Sequence, residues 1–170
     1  VLAELNFART HPQDYARQLE RLARTGGVNG RYADPVEDAG ALDEAIDYLE
    51  RQLPLPPLSP DARLASAARA HVMDQGRTGE TGHGRDGHSF SQRLKQAGLY
   101  AGLSAEDISY GFDQPAEVVR QLIIDQGVPG RGHRANIFQP ALRIAGVACG
   151  SHPAYGALCV IDFASQPVGR

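Results

Sequence analysis

The strongest constraint on the fold lies near the C-terminus. Residues 143–150 and 156–164 are rich in Val, Ile, Ala and Cys and alternate with period two, and they flank the turn-like run Ser151-His152-Pro153-Ala154-Tyr155. Alternation sends every second side chain to one face, so two such runs around a short turn predict an antiparallel hairpin. A hairpin symmetric about Ala154 sets Cys149 opposite Cys159. Opposed residues have Cβ atoms about 4.5–5.5 Å apart, close to what a disulfide requires. Bridging them would stabilise the chain by roughly 3 kcal/mol in the chain-entropy picture and would imply an oxidising compartment. The other reading is two buried thiols acting as small apolar residues.

A lone hairpin has no partner for its apolar face, and the residues upstream supply helices to cover it. Leu2, Leu5, Phe7 and Ala8 begin a short amphipathic helix, with Thr10 as a candidate cap for a second one that starts at Pro12 and carries Tyr15, Leu19 and Leu22. Gly26-Gly27 ends it, residues 28–40 read as loop, and Leu42, Ile46, Leu49 and Leu53 share one helical face. Prolines force residues 53–58 to be extended. Ser59-Pro60-Asp61 then reads as a helix start, followed by Leu64, Ala68 and Val72 on the buried face. Ser89 caps a helix closed by Gly98, and another begins at Asp113 and Pro115 with Val118, Val119, Leu122 and Ile123 inward. The order predicts an α+β fold, helices packed on a central antiparallel sheet. At 170 residues the chain is long enough for one core, so a single domain over 1–170 is expected.

Charge narrows the partners. The net charge is −3, with Lys95 the one lysine, so no basic surface is available for nucleic acid. No apolar run nears the roughly 18 residues of a membrane span. Residue 1 already lies in a helical pattern, so an export leader would have to lie outside this sequence.

Two Gly-His segments carry the candidate chemistry. His83 follows Gly82 in a Gly-, Thr- and His-rich loop spanning 76–89, and His133 follows Gly132. Between them, Glu106 and Asp107 stand side by side, read as preceding a turn. Two histidines with carboxylates suit a divalent transition metal or general acid–base work. They equally suit a hydrogen-bonded network that only ties loops together. His71 falls on an apolar helix face and reads as a satisfied, partly buried imidazole; His88 reads as a further ligand or a loop hydrogen bond. His11 is expected to face solvent, and His152 at the hairpin tip is expected to have no special role. Arg131 and Arg134 flank His133 and are expected either to pair with acids near Glu106 or Asp125 or to receive an anionic group.

These segments resemble the CAP superfamily of cysteine-rich secretory proteins, venom antigens and plant pathogenesis-related proteins. Gly132-His133-Arg134-Ala135-Asn136-Ile137 is similar to the family's Gly-His-Arg-x-Asn-Ile motif. Ala105-Glu106-Asp107-Ile108 stands where the family has Gly-Glu-Asn-Ile, His83 with Asp86-Gly87 and Phe90 through Arg93-Leu94 resembles its Ser-His-Thr-Gly segment, and Cys159 to Ala164 resembles its closing strand. The likeness spans about 58–164, which makes 1–57 an N-terminal helical extension or insertion. It implies an α-β-α sandwich with a central cleft lined by two histidines and two acids. Carried over, these are His83, His133 and Glu106, with Asp125 or else Gln126 where the family has a second Glu. Asp107, Arg134, Asn136 and His88 are secondary candidates.

The resemblance implies an exported or periplasmic protein whose cleft takes zinc or another small ligand, or no cofactor at all, with a small molecule, lipid or protein as partner. A metal-assisted hydrolase of peptide or ester bonds, with Glu106 as general base, is the enzymatic alternative. It is disfavoured because Ser89 and Ser109 have no evident histidine partner. A purely structural polar cluster is the third reading.

Overall fold

A computed structural model describes residues 1–25, 40–84 and 88–165. The expected Gly26-Gly27 helix end, most of the 28–40 loop and the Asp86-Gly87 pair lie outside the described residues.

Strands β3 (Ile144–His152) and β4 (Gly156–Ala164) form the expected hairpin, with Cys149 paired to Cys159 and joined to it by a disulfide. Ser151 and His152 extend β3, so the turn is shorter than the sequence suggests. β2 (Ser104–Tyr110) lies antiparallel on the far side of β4. The two-residue β1 (Ser59–Pro60) lies parallel to β3, making the sheet mixed, in the order β1-β3-β4-β2. Ser59-Pro60 therefore does not start the helix. Ser59 N–H donates to the Arg143 carbonyl, and Asp61 caps α4 (Ala62–Thr78) by accepting from the Arg63 and Leu64 amides.

The two faces of the sheet are covered differently. On one, α4 and α5 (Phe90–Gln96) meet the strands through Leu64, Ala67, Ala68, Val72 and Leu94, opposite Ile108, Leu158, Val160 and Ala164. Gly146 makes this possible: a Cβ there would overlap the Leu64–Ala65 backbone, so only glycine lets α4 lie so close to β3. On the other face, α1 (Leu2–Thr10), α2 (Pro12–Arg24), α3 (Ala41–Arg51) and α6 (Pro115–Ile124) share one core with Cys159, Ile161 and Phe163. The result is a three-layer α-β-α sandwich.

The α1–α2 junction departs from expectation. Thr10 is the last residue of α1; its hydroxyl donates to the Asn6 carbonyl rather than capping α2. Beside it Arg9 is fully buried, and its guanidinium donates to the carbonyls of Pro56, Ile137, Gln139 and Leu142. Burial lowers its pKa to about 10. It ties the Pro-rich segment and the end of α7 (Gly132–Ile137) to α1.

Candidate functional site

Glu106 and Asp107 lie within β2, not before a turn, and this decides their roles. Successive strand residues face opposite sides of a sheet. Glu106 pairs in register with Asp162 and Asp107 with Ile161, so Glu106 faces the α4 layer and Asp107 the α6 layer.

On the α4 side, His83 Nδ1 and Glu106 Oε1 are 2.9 Å apart. A carboxylate accepts, so Nδ1 carries the proton and donates. The other Glu106 oxygen accepts from the Arg93 guanidinium, which also reaches the carbonyls of His83 (3.2 Å) and His88 (2.6 Å). Burial works against the Glu106 charge, but the hydrogen bond from His83 and the adjacent Arg93 hold its pKa below the ordinary value. Asp162 lies fully buried across the same rung, and neither of its oxygens meets a donor from the rest of the described protein. Burial first, then the Glu106 charge, pushes its pKa up to about 9. Asp162 is thus a neutral acid at pH 7, and its proton lets two carboxyls share one buried rung.

On the α6 side, His133 Nδ1 lies 2.6 Å from Asp125 Oδ1, and the His133 amide donates to Asp125 Oδ2 at 2.9 Å. Asp125 ends α6 in the left-handed conformation (φ 55°), a region where Asp is tolerated. Burial disfavours the imidazolium of His133, yet the bond to Asp125 and the charges of Asp107 and Asp125 outweigh it and raise its pKa. Asp107 accepts from Asn136 Nδ2 at 2.7 Å, and burial raises its pKa to about 7. A cavity of about 80 Å³ lies beside His133, lined also by Ile108, Tyr110, Gln121, Leu122 and Asp125.

The geometry sorts the other candidates. Asp125, not Gln126, reaches His133; Gln126 lines the cavity. Arg134 donates to the carbonyls of Ile123 and Ile124 at the end of α6 and pairs with Glu44, and Arg131 also pairs with Glu44. The acid both arginines find is therefore Glu44 on α3, at the Asp125 end of α6 and not near Glu106, and Arg131 also donates to the Asp125 carbonyl. His88 is exposed and enters the site through its carbonyl. His71 is buried and donates from Nε2 to the Gly82 carbonyl, as a satisfied imidazole should. His152 corrects an expectation: it is buried, its Nε2 donates to the Glu80 carbonyl, and its ring meets Tyr110 and Tyr155. Ser89 caps α5 with Gln92, and Ser109 is buried and donates to Gln121 at 2.5 Å, so both hydroxyls are engaged away from histidine. Among the described residues no three His, Cys, Asp or Glu side chains converge as a ready metal site.

The sequence assigns no role to Arg93, Asp162 or Glu44, although Arg93 and Asp162 fall within the segments that carry the resemblance. Asp162 had a signal, a lone acid in the apolar run Val160-Ile161-Asp162-Phe163. Glu44 had none, because it is far from His133 in the chain and one of several acids on an exposed helix face.

Comparison with known proteins gives a consistent picture. The cysteine-rich secretory protein family, CAP, matches residues 5–163. An extracellular protein containing an SCP domain from Bacillus anthracis is 19% identical, with a TM-score of 0.53 over 76% of this chain; the match spans 41% of that chain. An outer surface protein of Borrelia burgdorferi is 20% identical, with a TM-score of 0.57 over 80% of this chain and 98% of its own. At these identities the likeness establishes the fold. No curated protein sequence matches.

Proposed function

Because the chain belongs to the cysteine-rich secretory protein (CAP) family, we propose that it is an exported binding domain whose His83 and His133 take a divalent metal such as zinc, or a small ligand in its place. One observation carries this reading. Both imidazoles spend Nδ1 on a carboxylate, Glu106 for His83 and Asp125 for His133. A histidine that donates from Nδ1 keeps a lone pair on Nε2, the arrangement that orients histidine toward a metal. The donor chemistry therefore fits a borderline-soft cation. Two imidazoles fall short of the three protein ligands of most catalytic zinc sites, leaving the remaining positions to water or ligand. The cation would act there as an electron-pair acceptor for whatever the cleft binds. The protein's own part is to fix the tautomer of each ring and to keep Glu106 ionised beside Arg93. Export is supported by the disulfide, which persists in oxidising compartments, and by the extracellular and outer-surface descriptions of the two structural neighbours.

The same direct His–carboxylate bonds favour a second reading, in which the pairs only hold the cleft together. Zinc titration by calorimetry on the wild type, His83→Ala and His133→Ala separates the two. The metal reading expects binding that each substitution weakens and that falls off in acid as His133, whose pKa is raised, protonates. Equal affinity in all three proteins would sink it and leave the structural reading.

A further inference from the structure

The loop that carries His83 runs from the end of α4 without helix or strand. Backbone polar groups in such a segment need partners from elsewhere. Around Gly82, immediately before His83, those partners are side chains. Gly82 N–H donates to the Tyr110 hydroxyl at 2.9 Å, and that hydroxyl donates to Gln75 Oε1 at 2.8 Å. Gln75 Nε2 returns to the Gly82 carbonyl at 2.6 Å, closing a ring of hydrogen bonds. His71, one turn earlier on α4, adds Nε2–H to the same carbonyl at 2.8 Å.

We infer that Tyr110, Gln75 and His71 are positioning residues that set the His83 imidazole against Glu106, and so set where its Nε2 presents to a ligand. This rests on the ligand-binding reading above. Three features carry it. Gln75 and His71 are polar side chains, each only 2% exposed, on the apolar face of α4, which is costly unless their bonds are made. Each of their bonds named here ends on Gly82 or on Tyr110, not on a neighbouring helix. The next carbonyl, that of His83, is held in turn by Arg93, so the peptide groups on both sides of the imidazole are fixed by side chains from α4, β2 and α5. Tyr110 is itself braced. Its ring packs on His152 and Tyr155 at centroid distances of 5.4 and 5.1 Å, and His152 Nε2 donates to the Glu80 carbonyl at 3.0 Å, two residues before Gly82. The hairpin tip thus grips the same loop from the other end.

Tyr110→Phe removes one hydroxyl, which is both the acceptor for Gly82 and the donor to Gln75, and keeps the ring packing. The expected result is about tenfold weaker zinc binding by calorimetry, as for other groups that orient a ligand histidine. The His83 Nδ1–H resonance should broaden or be lost, while the melting temperature stays within a few degrees of wild type. Gln75→Leu should move the same two readouts in the same direction. Zinc affinity within twofold of wild type in both variants, with the His83 resonance unchanged, would overturn the inference. If the wild type binds no zinc, the metal reading fails by itself. The His83 resonance and the exchange rate of the Gly82 amide then decide: faster exchange and a perturbed ring support positioning, and unchanged values overturn it.

Discussion

The two histidine–carboxylate pairs look alike in outline and are built on different principles. His83 stands on an irregular loop, and its acid, Glu106, projects from a strand into a buried cluster with Arg93 and Asp162. His133 stands in the first turn of α7, and its acid, Asp125, ends α6 and binds both the imidazole and the His133 amide. One pair is held by charges that balance only as a set. The other is held by backbone geometry, around an acid that is just as buried and an imidazole that is less exposed. The candidate site therefore depends on buried electrostatics on one side of β2 and on a helix-terminus cap on the other. Each side should fail in its own way.

The largest difference is expected from the arginines. Arg93→Met leaves Glu106 ionised and buried with no cation beside it, a loss of about 3–5 kcal/mol by analogy with broken buried ion pairs. Arg134→Met removes carbonyl partners at the end of α6, but its acid, Glu44, has a side chain 51% exposed that stays solvated. That substitution should cost about 1–3 kcal/mol. Urea unfolding at pH 7 measures both. Equal losses would mean that the two sides are held alike and would erase the distinction.

How much of this was legible in the sequence follows the same division. The hairpin, its register and the cysteine pairing could be read because strand alternation and symmetry about Ala154 are local facts. Asp125 could be named ahead of Gln126, but not the left-handed backbone at the end of α6 that brings its carboxylate to His133. The facing of Glu106 and Asp107 was hidden, because the two acids read as preceding a turn until β4 pairs with Ser104–Tyr110. Asp162 and Arg93 gain their roles from a cross-strand neighbour and a helix far off in sequence, and no spacing rule connects them. His152 was misjudged for the same reason: a hairpin tip is exposed by default, and here the 80–82 loop covers it.

Asp107 gives a test with the opposite sign. Its pKa is raised to about 7, so the folded state holds a proton that the unfolded chain releases near 4. Its contribution is fully present below pH 4 and is lost as pH rises through 7. Asp107→Asn keeps an acceptor for Asn136 and removes the ionisation. The variant should match wild type near pH 3.5 and exceed it by roughly 2–4 kcal/mol at pH 8, in unfolding titrations at the two pH values. A wild-type advantage at pH 8 would mean that the Asp107 charge is wanted beside His133, and would move it into the site.

The smallest and most diagnostic effect concerns His133 itself. Asn adopts the left-handed conformation as readily as Asp, so Asp125→Asn preserves the end of α6 and replaces a charged partner with a neutral one. Burial then acts on the imidazole with one fewer opposing charge, and its pKa should fall. In the wild type the raised pKa adds stability that is complete below the unfolded value near 6.5 and disappears as pH passes the folded value. The variant should lose that extra stability at pH 6 and match wild type near pH 8.5. Proton NMR titration of the His133 ring follows the first quantity and urea unfolding the second. A pKa that stays raised in Asp125→Asn would assign the effect to Asp107 across the sheet edge. The α6 side would then depend on buried charge as much as the Glu106 side does, and the contrast between the two pairs would narrow to their backbones.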